Sequence, residues 1–437
     1  MAGARALAIA LVISGCGSNS PTTTTSTPSP SPSSVSTVGL PSEQAASPSS
    51  TEPVATASPS VGLACGDSRG SYPEPQYAFA HISIPLGSDA CQNIGPFTHP
   101  QIKYLTNDGS RIAFNSVDYE NDGDLWYGDL MTKSIGIVYQ AKESTSLRVA
   151  IVDPQLAGGQ LVWLEATHAG SDVEKPVKEW SVKAMDLATG AVKIVTEGLT
   201  PRYGGHSEVT EIRFDGSRIA MLESLARDWQ IEIRDLSGNV QAMIRTSQDP
   251  FDVALVADGL LYTAGAYDVT MGTVSHTHLW HWTPSGGSRQ IGAAAYQINA
   301  AADQAAWVVD PIADAETGGN FQAPRLYTGA APYTGAQPIS PADSDTGTKG
   351  IDGMACGSGG VAWWEQEAWG QAWHDVLTIW QPGWSSPVQV DTEGSESYEV
   401  SVRGDWLVWS EEFGRDDPLQ ERIRGVPLSV LTSEHSG

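Results

Sequence analysis

The 437-residue sequence is poor in cysteine, with four in all, and in cations, with 24 Lys and Arg against 51 Asp and Glu. Four cysteines are too few for a fold stapled together by disulfides. A formal net charge of -27 and no basic run leave nothing to neutralise a phosphate backbone. Nucleic acid is therefore excluded as a partner, and an anionic membrane surface repels the chain for the same reason. No apolar run reaches the roughly 18 residues that a spanning helix needs. The HExxH, CxxC and phosphate-loop spacings are missing, and with them the usual zinc-hydrolase, redox and nucleotide readings. Beyond residue 62 no stretch keeps a helical period. What is there is acidic, turn-rich and carries 15 tryptophans, the texture of an all-β chain.

The N-terminal residues differ in character. Arg5 precedes an apolar stretch over residues 6–13 and then small residues. The four residues ISGC at 13–16 resemble the lipobox of bacterial lipoproteins. That resemblance implies a signal peptide over residues 1–15 and a diacylglycerol on the thiol of Cys16. Each buried CH2 of such a lipid contributes about 0.8 kcal/mol, enough for a durable hold on the extracytoplasmic side of the cell membrane. Residues 16–62, with TTTTSTPSPSPSS near their start, are almost all Ser, Thr, Pro, Ala and Val. Their apolar surface cannot offset backbone entropy, so a disordered tether reaching roughly 35–40 Å is expected.

After the tether a phrase repeats. DGSRIA occurs at 108–113 and again at 215–220, and five further segments share its type. Each is a turn, then an apolar residue, then usually an aromatic two positions on. The pairs are Ile112/Phe114, Leu161/Trp163, Ile219/Met221, Leu260/Tyr262, Ala305/Trp307, Val361/Trp363 and Leu407/Trp409. A spacing of two puts both side chains on one face of a strand. Intervals of roughly 40–60 residues are the period of propeller blades. The turns DLMTKS, DLATG and DLSGN close further hairpins, so each unit is about four antiparallel strands. The expectation is a β-propeller of seven four-stranded blades over residues 100–434, acting as a monomer.

NDGSRIAFNS followed by DLWYGDL is similar to the repeat of TolB-type β-propellers, where a turn DG-x-x-I-A-F leads to a second strand and then D-[IL]-[WY]. The resemblance implies the fold. It implies no activity, because propellers host unrelated ones, and that family's partner-binding residues have no counterparts here. Residues 63–99 are expected to close the ring, with the strand-like YAFAHISIPL at 77–86 joining the last blade. Cys65 and Cys91 are expected to pair, leaving Cys356 a buried thiol; either partner can instead pair with Cys356.

Candidate chemistry is sparse. GDSRG at 66–70 has the form of a nucleophile elbow but lacks the strand before it and the helix after it. His276 and His278 of HTHLWH share a strand face with no further metal ligand nearby in sequence. DYENDGDLWYGD places Asp118, Glu120, Asp122, Asp124 and Asp129 at the liganding positions of a calcium loop, although no cofactor is required by the fold. Glu165, Glu223, Glu365 and Glu411 follow four of the markers, and are expected as a partial acidic ring on one rim. Trp369, Trp373 and Trp384 stand in loop-like contexts, suited to stacking on a sugar or gripping a partner. The leading functional expectation is noncatalytic binding of an envelope polysaccharide or protein. The alternatives are a carbohydrate-active hydrolase or lyase using the rim carboxylates, and a scaffold of an envelope complex.

Overall fold

A computed structural model of the chain describes residues 80–82 and 91–435, apart from 99–100, 118–123, 142–147, 169–175, 226–227, 247, 269–272, 294, 302–303, 310–324, 334–335, 340–349, 370–371, 391–398 and 414–419. The described strands form seven sheets, six of four strands and one of five. The four core strands of each sheet are antiparallel, and six of the seven sheets take all four from consecutive chain. Their first strands are Gln101–Asp108, Arg148–Ala157, Ser207–Phe214, Asp249–Val256, Ala295–Ala301, Gly350–Gly357 and Val400–Arg403. Each first strand packs beside the next, and Val400–Arg403 packs beside Gln101–Asp108, so the sheets are the seven blades of a closed propeller. The seven marker segments are the second strands, and the two DGSRIA copies belong to blades one and three.

The repeat exists because a lone sheet leaves both faces wet, whereas a ring buries each face against a neighbour. All fourteen marker side chains are buried. They point at the preceding blade: Leu161 and Trp163 pack on Ala113 and Leu125, and Leu407 and Trp409 pack on Ala362 and Trp364. Seven such clusters, one per seam, make up the core. Truncating one of the buried tryptophans to alanine costs about 3–5 kcal/mol by the usual transfer-plus-cavity reckoning.

The turns explain the duplicated phrase. In blade three, Asp215 accepts the N–H groups of Ser217 (2.9 Å) and Arg218 (2.7 Å). Gly216 supplies the positive φ of 102° that the turn requires. Arg218 closes back on Asp215 at 2.8 Å and reaches the Val256 carbonyl of blade four at 2.7 Å. In blade one Asp108 makes the outward reach, accepting the Gly158 N–H of blade two at 3.1 Å. One phrase thus shapes a turn and ties it to the next blade. The Asp-Leu hairpins work alike: Asp129, Asp186 and Asp235 each accept a backbone N–H two residues on, and Leu130 is buried.

The closing strand is not the one expected. Gln92–Thr98 pairs antiparallel with Gln420–Pro427 and supplies the outer strand of blade seven. Of the segment 77–86, the described part Ala80–Ile82 pairs parallel with Val388–Val390 and becomes the fifth strand of blade six. QNIGPFT does not read as a strand because of Gly95 and Pro96. The register shifts between Ile94 and Phe97, at a residue with φ 131° where a Cβ would lie 3.0 Å from the Glu421 carbonyl oxygen and from Arg422 Cβ. Such residues are tolerated on an outer edge, where no further ladder must form. Cys91 is disulfide-bonded, with its partner outside the described residues, and Cys356 is a free buried thiol. A helix, Leu428–His435, follows the last strand and buries Leu428 and Leu431 against the seam of blades six and seven. Eight residues are too few for a helical period to stand out.

Candidate functional site

Each first strand is paired along one edge and faces the axis with the other. Backbone N–H groups on that free edge need acceptors. The preceding blade supplies them. Thr106 accepts from Leu156 N–H (3.3 Å), Asp153 from Ile212 N–H (3.3 Å) and Asp252 from Ile298 N–H (2.8 Å). Asn299 accepts from Cys356 N–H (3.3 Å), and Glu399 from Leu105 N–H (3.2 Å) across the seam where the ring closes.

Three of these acceptors, joined by Glu211 on the first strand of blade three, form a second repeat. Asp153, Glu211, Asp252 and Glu399 each stand eight residues before the marker apolar residue of their blade. In the first three the strand pairing shifts register at or beside the acid, a bulge of the kind that re-aims a side chain. Arg213 gathers three of them, at 2.5 Å from Glu211, 3.2 Å from Asp252 and 3.9 Å from Asp153. Burial pushes the carboxyls of Asp153 and Glu211 up, and raises that of Glu399 to about 7. Against burial, the surrounding carboxylates hold the Arg213 guanidinium firmly charged.

An axial cavity of about 280 Å³ opens among these strands. Arg213, Asp153 and Glu399 line it together with Leu255, Phe214, Met354 and Arg403. Arg403 is unlike Arg213. It leaves the end of the first strand of blade seven and reaches over to blades two and three. There it donates to the carbonyls of Leu156 (3.3 Å) and Phe214 (3.2 Å) and to Gln155 Oε1 (3.3 Å), all neutral acceptors. A smaller space of about 60 Å³ adjoins it, lined by Thr106, Ser401, Cys356 and the same arginine.

The residues singled out from sequence lie elsewhere. The four glutamates do not form a solvent-facing rim: Glu223, Glu365 and Glu411 are buried, and Glu165 nearly so. Glu165 is held by Lys183 at 2.7 Å and by the Tyr139 hydroxyl of blade one at 2.8 Å. Glu223 accepts from Gln230 Nε2 at 2.7 Å, and Glu365 from Trp363 Nε1 at 2.8 Å. Glu411 is bound by Arg422 and by the fully buried Arg424. The reason is the strand period: a residue two beyond the marker aromatic shares its face, and that face is the seam.

Of the calcium-loop residues, Asp118, Glu120 and Asp122 lie outside the described residues. Asp124 and Asp129 stand at the two ends of one strand, roughly 17 Å apart at about 3.4 Å per residue, so they do not share a cation. Asp124 instead accepts from Gln140 at 3.0 Å. Among the described residues no group of three or more His, Cys, Asp or Glu is placed to hold a metal ion. Trp369 and Trp373 are not in loops but on the two strands of the blade-six hairpin, opposite Ala372 and Ala368. Trp384 lies in a turn, packs on the seam clusters beside blade six and accepts the Trp380 Nε1–H at 3.1 Å. Cys16, Cys65 and the segment 66–70 lie outside the described residues. His278 meets Gln290 at 3.1 Å.

No protein-family model matches this chain, and no curated protein does. Solved structures share its fold. It is similar to the β-propeller domain of the Trilobed protease from Pyrococcus furiosus, at 12% identity over 76% of this chain and 96% of that one, with a TM-score of 0.53. It is also similar to a puromycin-hydrolyzing peptidase of Mycobacterium tuberculosis, at 13% identity and a TM-score of 0.51. That match covers 76% of this chain but 52% of the peptidase, so the chain spans about half of it. The first relative is described as having an open velcro topology, whereas here Gln92–Thr98 closes the last blade. The fold and its axial cavity define a seven-bladed β-propeller.

Proposed function

We propose that this protein is a noncatalytic binding propeller of the TolB-type repeat class. In this reading it is held outside the cell membrane by a lipid on Cys16 and recognises an envelope partner, polysaccharide or protein. The observation that carries the reading is the axial cavity, a concave, part-apolar space where Arg403 offers donors to whatever enters. The reading is supported by the fate of the glutamates. Glu165, Glu223, Glu365 and Glu411 are taken up by partners in the seams, so these four do not supply a rim carboxylate pair for glycoside hydrolysis. The test is to offer the detergent-solubilised protein to a glycan array and to envelope extract. A saturable partner recovered without turnover supports the proposal. Products released from a bound glycan or peptide would replace it with a hydrolase, and no partner from either source would favour a scaffold. Labelling cells with a palmitate analogue tests the anchor: the label is expected on the wild type and lost in Cys16→Ser.

A further inference from the structure

Resting on that reading, we propose that the axial cavity is a carboxylate site built on Arg403, and that its occupant is the free C terminus of a peptide segment. A guanidinium carries five N–H donors. Arg403 spends three on neutral oxygens of Leu156, Phe214 and Gln155 and keeps two without an acceptor among the described residues. Carbonyls satisfy hydrogen bonds but do not balance charge. No carboxylate among the described residues lies within ion-pair distance of this guanidinium. Two that act on it from further off are already engaged, Asp108 by the Gly158 N–H and Asp215 by Ser217 and Arg218. Arg213, facing the same space, is matched by Glu211 and Asp252. A half-buried cation without a counter-ion is costly to desolvate, and an entering carboxylate offsets that cost with a charge-assisted, two-donor contact.

The rest of the site narrows the ligand. The cavity is about 280 Å³, room for a chain end and not for a folded domain. Ala157, Ala301 and Met354, each partly exposed, give it apolar wall beside the arginine, which suits a peptide side chain better than a hydroxyl-covered sugar. Net charge counts against polyanions. A polyuronate must bring repeated negative charges to a chain of net charge -27, whereas a peptide end brings one.

The experiment uses the full chain in detergent with three probes: fluorescein-labelled Ala-Leu-Ala with a free carboxylate, the same peptide as its C-terminal amide, and a labelled trigalacturonate. Fluorescence anisotropy is expected to show saturable binding of the free acid, with the amide about tenfold or more weaker. Arg403→Gln is expected to abolish that preference, and Arg403→Lys to keep part of it. The acid-against-amide comparison is made on the wild type, so it stands even if a variant folds poorly. Equal binding of acid and amide, no binding of the acid, or preference for the trigalacturonate would each overturn the site. If an envelope partner is recovered while the peptide preference is absent, this inference fails and the binding-module reading survives.

Discussion

Replacing Glu399 by glutamine asks whether the ring is closed by a buried carboxyl. Glu399 sits where blade seven meets blade one, and burial moves its pKa from 4.5 up to about 7. A carboxyl with a raised folded pKa holds its proton more tightly folded than unfolded. Unfolding therefore releases a proton from about pH 4.5 to about pH 7, and stability falls as pH rises through that window. At about 1.4 kcal/mol per pKa unit the full loss is roughly 3 kcal/mol above pH 7, and partial exposure screens it toward about 2. Glutamine keeps the shape and stays neutral throughout. Glu399→Gln should match the wild type near pH 5 and exceed it by roughly 2–3 kcal/mol at pH 8, read by urea unfolding with tryptophan fluorescence. Glu211 and Glu223, also raised by burial, tilt both proteins alike and cancel in the difference, whereas the charge of Asp153 adds to the Glu399 shift and belongs to that difference. Asp215 acts the other way: against burial, the Arg218 and Ser217 N–H groups depress it, and its contribution is lost in acid, again in both proteins. A variant no more stable than the wild type at pH 8, or a gap that does not widen from pH 5 to pH 8, would refute the reasoning.

Three further outcomes are expected. Glu411→Ala removes the buried carboxylate that binds both Arg422 and the fully buried Arg424 and should cost about 3–5 kcal/mol in the same unfolding assay, whereas a solvent-facing rim glutamate would cost next to nothing. Chains that begin at Cys91 and at Phe97 both lack Ala80–Ile82 and the earlier cysteines, so their difference isolates the closing strand. The second should melt far below the first, and equal melting would show that the ring does not depend on Gln92–Thr98. Burial pushes the Cys356 thiol up to about 12, so a maleimide at pH 8 should label it only in denaturant; rapid labelling of the native protein would contradict its place in the seam of blades five and six.

The marker strands were legible because one physical demand repeats: an apolar residue and an aromatic at a spacing of two must meet the preceding blade, as Leu161 and Trp163 do. The same period, followed two residues further, already placed Glu165, Glu223, Glu365 and Glu411 on that buried face. Their chain position at the end of a strand suggests a rim, whereas side-chain direction puts them in the seam. The axial acids are not legible in the sequence for a different reason. Asp153 in VDP, Asp252 in FDV and Glu399 in YEV each interrupt an apolar strand singly, and only their common distance of eight residues from the marker reveals a set. Their purpose is invisible within one blade, since the N–H groups they accept belong to the next. Arg403 is the limiting case. Its neighbours in sequence are a strand and a Gly-Asp turn, while its hydrogen-bond partners lie 189 to 248 residues away on two other blades. Local pattern encodes a blade, but a group on the axis takes its meaning from the closed ring, because closure alone brings distant first strands around one cavity.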